Sequence, residues 1–407
     1  MASSEKKVIL DDESLKEEVS KEEDSFIKKE LTRREVLQGM VASALIAPFW
    51  SHCATPETKP IPKNYAMTYK GFHGLAELPF FELNEDGNLR VTVDDLPKSI
   101  DFHAHLGFAV GANSKLDFQK KSKHVEYLLD CDEGKCILDM KDYMNTLVTP
   151  EMKKGLDKAI IDSVLKGTGP GATHTVPNLL AEMDLMGFDK ILVHAIGLNL
   201  LKPDNMTDLW HDAVIKANAK DRIIVFCSVH PNDKEPVKKL REYHKQGFVG
   251  FKFHPTMQNV DPDDTKAMEL FEECDRLKMP VFFHAGRAGI ESEKSRVHAE
   301  VQHYKKAVAE FPNTNFFFGH SGCRDWRVFL DLAKQHKNVW MDLQGQGIPQ
   351  IETIIKEFDN SRLVFGSDWP FYPLAATLAK ILIVCDGKKE LRDDILANNA
   401  RRFLGLS

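Results

Sequence analysis

Residues 99–105, Ser99-Ile100-Asp101-Phe102-His103-Ala104-His105, close a short apolar run on two histidines one residue apart. In a β-strand alternate side chains share a face, so His103 and His105 would look in one direction and could grip a single metal ion. Taken alone, such a pair is more often two half-exposed strand histidines than a metal site. Its meaning depends on what stands beside it.

Seven further apolar runs of strand length follow: KILVHAI (190–196), RIIVFCSV (222–229), FVGFKFH (248–254), PVFFHAG (280–286), NFFFGHS (315–321), NVWMDLQ (338–344) and RLVFGSD (362–368). Helix-period segments such as NLLAEMDLMGF, DTKAMELFEECDRLKM and WRVFLDLAKQH separate them, the alternation expected of βα units and a parallel sheet. Near-continuous Val, Ile, Leu and Phe suit strands buried on both faces. Eight such units over residues 98–407 predict an α/β fold, a (β/α)8 TIM barrel whose chemistry sits at the C-terminal ends of its strands. The polar residues keep to that end: His103 and His105 on run one, Lys252 and His254 on run four, His284 on run five, His320 on run six, Asp368 on run eight. Buried ionisable groups are stable when paired or bound to metal, so a convergent set of imidazoles with one carboxylate predicts zinc or another borderline divalent ion with one position open to water.

The chain has 407 residues, 43% of them hydrophobic, enough for a sizeable core, and a formal charge of -7. No basic stripe suited to phosphate backbones is present, which argues against nucleic acid as a partner. The seven cysteines include no CxxC, so neither a zinc ribbon nor a disulfide framework is indicated, although Cys131 and Cys136 in CDEGKC are close enough for a local disulfide. Cys227, Cys274 and Cys385 read as core thiols. Residues 1–30 are polar and charged and read as a disordered tail. Arg33 and Arg34 then precede an uncharged apolar run from Val36 to Trp50 that is too short for a stable span; this resembles a twin-arginine export signal and places a boundary near residue 55. The expectation is export through that machinery to the periplasm, with a cytoplasmic enzyme as the alternative if the signal reading is wrong. Cys53 lacks the small residues that normally precede a lipidated cysteine. Residues 56–97 form a small N-terminal extension, read as a Pro-containing linker to about residue 75 and a hairpin around Asp86-Gly87.

Taken together, the HAH, GFKFHP, PVFFHAG, GHSG and GSDWPF motifs and the closing ILANNARRFLGL resemble the amidohydrolase superfamily, specifically the amidohydrolase-related family that also includes aromatic acid decarboxylases. The resemblance covers about residues 98–407. It implies a single metal on His103, His105, His284 and Asp368, with Asp368 also accepting a proton from metal-bound water, and His320 close by as an acid, base or electrostatic anchor. It also implies a hydrolase acting on an amide, lactone or ester of a small organic acid, or alternatively a non-oxidative decarboxylase of an aromatic or unsaturated acid; zinc is the expected ion, with manganese the other choice. The developing oxyanion needs a donor, for which protonated His320 is the candidate. In two-metal relatives a carboxylated lysine bridges the ions, but KFHP resembles the one-metal branch, so Lys252 is expected either to orient an anionic substrate or to sit in a buried ion pair.

Residues 106–189 far exceed an ordinary βα crossover and are expected to fold over the rim as a lid-like insertion. Its His124, Asp139, Lys141, Asp142, Tyr143 and His174 are read mainly as solvated loop residues, with His174 the first to test for a substrate contact. Arg287 could clamp a carboxylate or form a surface salt bridge, Trp369, with Phe371 and Tyr372, is expected at the pocket mouth, and His254 is expected to contact substrate. His194 and His230 read as supporting or core histidines, and His298 and His303 as outer-surface helical residues. A small-molecule substrate is the expected partner, and a homodimer is left open.

Overall fold

The computed structural model of the protein describes residues 65–108, 116–198 and 206–406. The charged tail, the twin-arginine-like segment, Cys53 and the start of the linker lie outside them. All eight expected runs are strands: β1 (Ser99–Ala104), β2 (Phe188–His194), β3 (Ile223–Phe226), β4 (Phe251–Phe253), β5 (Val281–His284), β6 (Phe316–Gly319), β7 (Val339–Asp342) and β8 (Leu363–Val364). They form two parallel sheets, β1-β2-β3 and β8-β7-β6-β5-β4. Single parallel bridges join Cys227 at the end of β3 to Phe251 of β4, and Ala104 of β1 to Trp369 beyond β8. The strands are shorter than the apolar runs, several of which continue past the ladder into the turns that carry His105, His254, His320 and Asp368.

Strand alternation sorts the core into two layers. Ile100, Phe102, Leu192, Phe226, Phe282, Phe317 and Val364 form one buried cluster with Ala400, against which Phe403 and Leu404 of the C-terminal helix pack. Their neighbours of opposite parity, among them Ile191, Phe251, Phe253, Phe283, Phe316, Phe318 and Met341, join the larger cluster shared with the helices. Helix Thr265–Leu277 shows how these helices start and stop: Asp264 caps its first turn by accepting the Lys266 N–H, and Lys278 ends it in the left-handed conformation at φ 57°. It buries Ala267, Met268, Leu270, Phe271 and Cys274. Cys227 and Cys385 are buried free thiols as well, as expected.

The hairpin is present, Phe81–Leu83 pairing antiparallel with Leu89–Val91. Residues 65–75, expected as linker, are instead part of the fold: Thr68–Lys70 pairs with Ile137–Asp139, and Tyr69, Phe72 and Leu75 are buried. Their apolar residues are too widely spaced to announce a strand, and their partner lies far along the chain. Between β1 and β2 the chain forms helices Pro150–Lys166 and Val176–Met186 and contains the Cys131–Cys136 disulfide. This segment bonds to the turns beyond the strands: the amides of Leu128 and Leu129 reach the carbonyls of Pro370 and Phe371 at 3.0 Å, and Met144 N–H reaches Gly345 O at 2.8 Å.

Candidate metal centre

The ladder between β1 and β2 is irregular between Asp101 and Ala104, at the start of the histidine motif. That irregularity lets adjacent residues meet one partner, so Phe102 and His103 both pack on Phe282, with ring centroids 6.4 and 4.6 Å apart. Space for the His103 ring comes from glycines in the later motifs. A Cβ on Gly366 would stand 2.8 Å from His103 Cβ, and one on Gly319 would stand 3.3 Å from its Cε1 and 2.5 Å from Phe283 O. Asp368 has φ 61°, and its N–H donates to His103 O at 2.7 Å, so the turn after β8 is tied directly to the end of β1.

His103 Nδ1 lies 2.8 Å from Asp342 Oδ2, and His105 Nδ1 lies 2.8 Å from His194 O. A carbonyl only accepts, and an ionised carboxylate only accepts, so both Nδ1 atoms carry the proton and both Nε2 atoms present lone pairs. Those Nε2 atoms face Asp368 Oδ1 at 3.7 and 3.3 Å. Three electron-pair donors therefore converge with no proton between them, and His103 Nε2 is buried without a partner. Burial, reinforced by the charge of Lys252, holds His103 well below the ordinary imidazole range, so a second proton on that ring does not relieve the repulsion. A cation does, and the donor set of two imidazoles and a carboxylate suits a borderline divalent ion.

Of the four ligands inferred from sequence, the structure brings His103, His105 and Asp368 together and groups His284 with His320 and Cys323. His320 Nδ1 is bonded to Gln344 Oε1, an acceptor, so His320 Nε2 accepts from His284 Nδ1 at 3.1 Å. His284 Nε2 is thereby left as a lone pair, buried and without a partner. Burial brings His320 down to about 4, with Asp368 and Gln344 opposing it. At neutral pH His320 is thus neutral, which corrects the expectation of a protonated oxyanion donor.

The sequence reading passed over Asp342 and Gln344, although both lie at the C-terminal end of NVWMDLQ, the end singled out on the other strands. Asp342 Oδ1 accepts the amides of His320 and Gln344, each at 2.9 Å, while Oδ2 orients His103. Burial raises its carboxyl to about 7, opposed by these amide bonds and Lys252, so the ionised form that orients His103 is the form at and above neutral pH and is the one those donors hold.

A cavity of about 100 Å³ opens on these groups, lined by His105, His254, His284, His320 and Asp368 on its polar side. His254 stacks on His284 with centroids 4.2 Å apart. Phe108, Leu156, Ile160, Met257 and Phe371 supply apolar wall. Several expectations are corrected here. Lys252 is fully buried off this wall, its Nζ 4.6 Å from the Phe282 ring centroid and without a hydrogen-bond partner, and burial brings its ammonium down to about 7. It lies off the cavity lining, and the close ion pair expected as its alternative is not formed among the described residues. Arg287 holds Asp325 through Nε at 2.8 Å and through Nη2, the surface salt bridge rather than the clamp. Trp369 is buried away from the cavity, its Nε1 donating to Glu182 Oε2 at 2.8 Å, because the neighbouring strap between β1 and β2 covers it. Tyr372 is likewise buried outside the cavity lining. His174, read as a loop residue, is buried with Nε2 on Glu126 O at 2.7 Å and its ring against Trp369. Tyr143, read as solvated, is buried and lines the cavity. His194 supports the site through its carbonyl, and His230 bonds Gln258 O at 3.0 Å. His298 and His303 are partly buried against Asp261 and Asp263 in short 3-10 turns rather than displayed on a helix.

A family model described as amidohydrolase matches residues 203–406, half of the chain. No curated protein matches it in sequence. Among solved structures, the chain is similar to an uncharacterized TIM-barrel protein from Bordetella bronchiseptica, with 16% identity, 76% of this chain and 99% of that one covered, and a TM-score of 0.53. It is similar to 5-carboxyvanillate decarboxylase from Sphingomonas paucimobilis, with 14% identity, the same coverages and a TM-score of 0.53. It is also similar to 2,6-dihydroxybenzoate decarboxylase from Rhizobium, with 15% identity, 76% and 99% coverage and a TM-score of 0.50. At such identities the likeness is one of fold.

Proposed function

The chain belongs to the amidohydrolase family and is an enzyme, and from that premise we propose that it is a one-metal hydrolase cleaving an amide, lactone or ester of a small organic acid. The observation that carries this reading is the convergence of His103 Nε2, His105 Nε2 and Asp368 Oδ1 as unprotonated donors. In this reading the two sheets are one eight-stranded barrel, closed at the Cys227–Phe251 and Ala104–Trp369 bridges, and the insertion over 106–189 is its lid.

His103, His105 and Asp368 would hold the ion, with His284 Nε2 as the further ligand its free lone pair makes available. A divalent ion held there would supply Lewis acidity, making water a stronger acid and a substrate carbonyl more electrophilic. Asp342 and the His194 carbonyl fix the tautomers of His103 and His105, so neither ring needs to rearrange during a turnover. Asp368 lines the cavity, and its carboxylate is the base that takes the proton from the attacking water. His320, neutral and tied to Gln344, accepts a hydrogen bond through Nε2 and keeps His284 in the tautomer with a free Nε2.

A decarboxylase on the same residues is the competing reading, since two of the structures of similar fold are named for that reaction. Hydrolysis of a neutral substrate is favoured because no Lys or Arg lines the cavity among the described residues. The deciding experiment measures metal content and activity together, on wild type and His105→Ala, against lactones, amides, esters and hydroxylated aromatic acids. One equivalent of metal in wild type, lost in the variant along with hydrolysis, supports the proposal; release of carbon dioxide from an aromatic acid in place of hydrolysis would replace it. We propose further that Arg33 and Arg34 direct export of the folded enzyme to the periplasm, and retention of an Arg33→Lys, Arg34→Lys variant in the cytoplasm tests it.

A further inference from the structure

One residue joins the two arms of the metal centre. Trp369 follows Asp368 directly, and its carbonyl accepts the His105 N–H at 2.6 Å, so a shift of this residue moves both ligands. Asp368 itself stands at φ 61°, a left-handed backbone that residues other than glycine hold only where the surroundings enforce it. Part of that enforcement lies at the strand ends: Asp368 N–H donates to His103 O at 2.7 Å, and Trp369 N–H donates to Ser367 Oγ at 3.0 Å. The rest comes from the segment between β1 and β2. The Trp369 side chain is fully buried, and its Nε1 donates to Glu182 Oε2 at 2.8 Å. Glu182, on helix Val176–Met186, also takes Tyr127 OH at 2.9 Å and, through Oε1, Leu374 N–H at 2.8 Å. The amides of Leu128 and Leu129 hold the carbonyls of Pro370 and Phe371, and Gly107 N–H, just past His105, donates to His174 O at 2.8 Å.

Apolar packing is non-directional and would leave the indole free to settle in more than one orientation, whereas a buried N–H bonded to a carboxylate fixes it. A rigid aromatic side chain held at its far end holds its own backbone in turn. We propose that Glu182 is a positioning residue of the metal centre, setting Asp368 and His105 through the Trp369 side chain and backbone. The inference rests on His103, His105 and Asp368 being that centre. It gives the segment between β1 and β2 a task besides covering the rim: it holds the metal-bearing turn after β8 from the side away from the cavity, where neither Glu182 nor Trp369 meets substrate. Partners that orient metal ligands commonly set affinity by about 10- to 100-fold, and here the orientation is passed through a backbone carbonyl rather than a ring nitrogen.

The test titrates cobalt(II), whose visible bands report ligand number and geometry, into the metal-free full chain and four variants, with melting temperature recorded beside each. Trp369→Phe and Glu182→Leu should bind cobalt about 10-fold or more weakly than wild type and show altered bands. Glu182→Gln, which keeps the shape and an acceptor oxygen for the indole, should stay within about 3-fold. Tyr127→Phe removes a donor from the same carboxylate but leaves the Trp369 bond, and should also stay within about 3-fold whatever its melting temperature. A folded Glu182→Leu or Trp369→Phe protein that binds within about 2-fold of wild type, with wild-type bands, overturns the proposal. So does a Tyr127→Phe protein that loses as much affinity as Glu182→Leu, because the effect is then general loosening. Failure of both Glu182→Leu and Trp369→Phe to fold overturns it as well, making the pair a support of the fold alone. A folded wild type that takes up no cobalt is a separate result, which removes the metal-centre reading and this inference with it.

Discussion

Replacing Asp342 by Asn tests the argument that places a metal here. Asp342 Oδ2 takes the Nδ1 proton of His103 at 2.8 Å, and Oδ1 takes the amides of His320 and Gln344 at 2.9 Å. In Asp342→Asn the amide oxygen can keep both backbone donors, but its NH2 group then faces His103 Nδ1 and forces that atom to accept. The ring proton moves to Nε2, the atom 3.7 Å from Asp368 Oδ1, and the site loses one of its lone pairs. Losing such an orienting partner weakens metal binding by about 10- to 100-fold, which at about 1.4 kcal/mol per tenfold is on the order of 1.4–2.8 kcal/mol. Competition with a chromophoric zinc chelator measures it directly, and melting temperature serves as the control. Asp342→Ala should differ in kind, since it strands two buried amides and lowers stability by about 1–3 kcal/mol for each. An Asp342→Asn protein that folds and binds zinc within about 2-fold of wild type would show that the tautomer of His103 does not matter to the site.

Arg287→Ala should leave kcat/KM within about 3-fold, because its guanidinium is spent on Asp325 at the surface; a loss above about 100-fold in steady-state assays would return it to the substrate site. Glu182 gives a pH signature. Burial holds its carboxyl up at about 7 against donors from Leu374, Trp369 and Tyr127, whereas the unfolded chain releases that proton near 4.5. The native state therefore binds more protons between these values, so this group's contribution is full below about 4.5 and is lost as pH rises through about 7, a swing on the order of 3 kcal/mol. Denaturation midpoints of wild type and Glu182→Gln at acid and neutral pH should show that slope in wild type alone. Thiol titration of the unfolded protein should find two fewer free thiols before reduction than after, reflecting Cys131–Cys136, and a Cys131→Ala, Cys136→Ala variant should lose about 2 kcal/mol at most because the loop is short.

The fold was legible because one signal repeats. Eight apolar runs repeat, five of them carrying their singled-out polar residues at the same end, and buried parallel strands leave little else for such runs to be. The site was legible only in part. His103, His105 and Asp368 meet as the family resemblance implied, yet the partners that fix the protons of the two imidazoles, Asp342 and the His194 carbonyl, come from other strands. Asp342 obeyed the same end-of-strand rule and was available to the reading. A backbone carbonyl carries no sequence signal at all.

The misread residues share a cause. Trp369 and His174 were judged by their neighbours in the chain, but their surroundings are set by segments many positions away, Glu182 for Trp369 and Glu126 for His174, and the choice left open for Arg287 is decided in the same way by Asp325. Local periodicity determines which face of a strand a side chain occupies, so sequence by itself determined the strands and the end at which their chemistry gathers. Which atoms carry protons, which charges are already paired, and which acceptors are left without a donor depend on packing between distant segments. For this protein only the tertiary structure could decide those, and they decide where a cation fits.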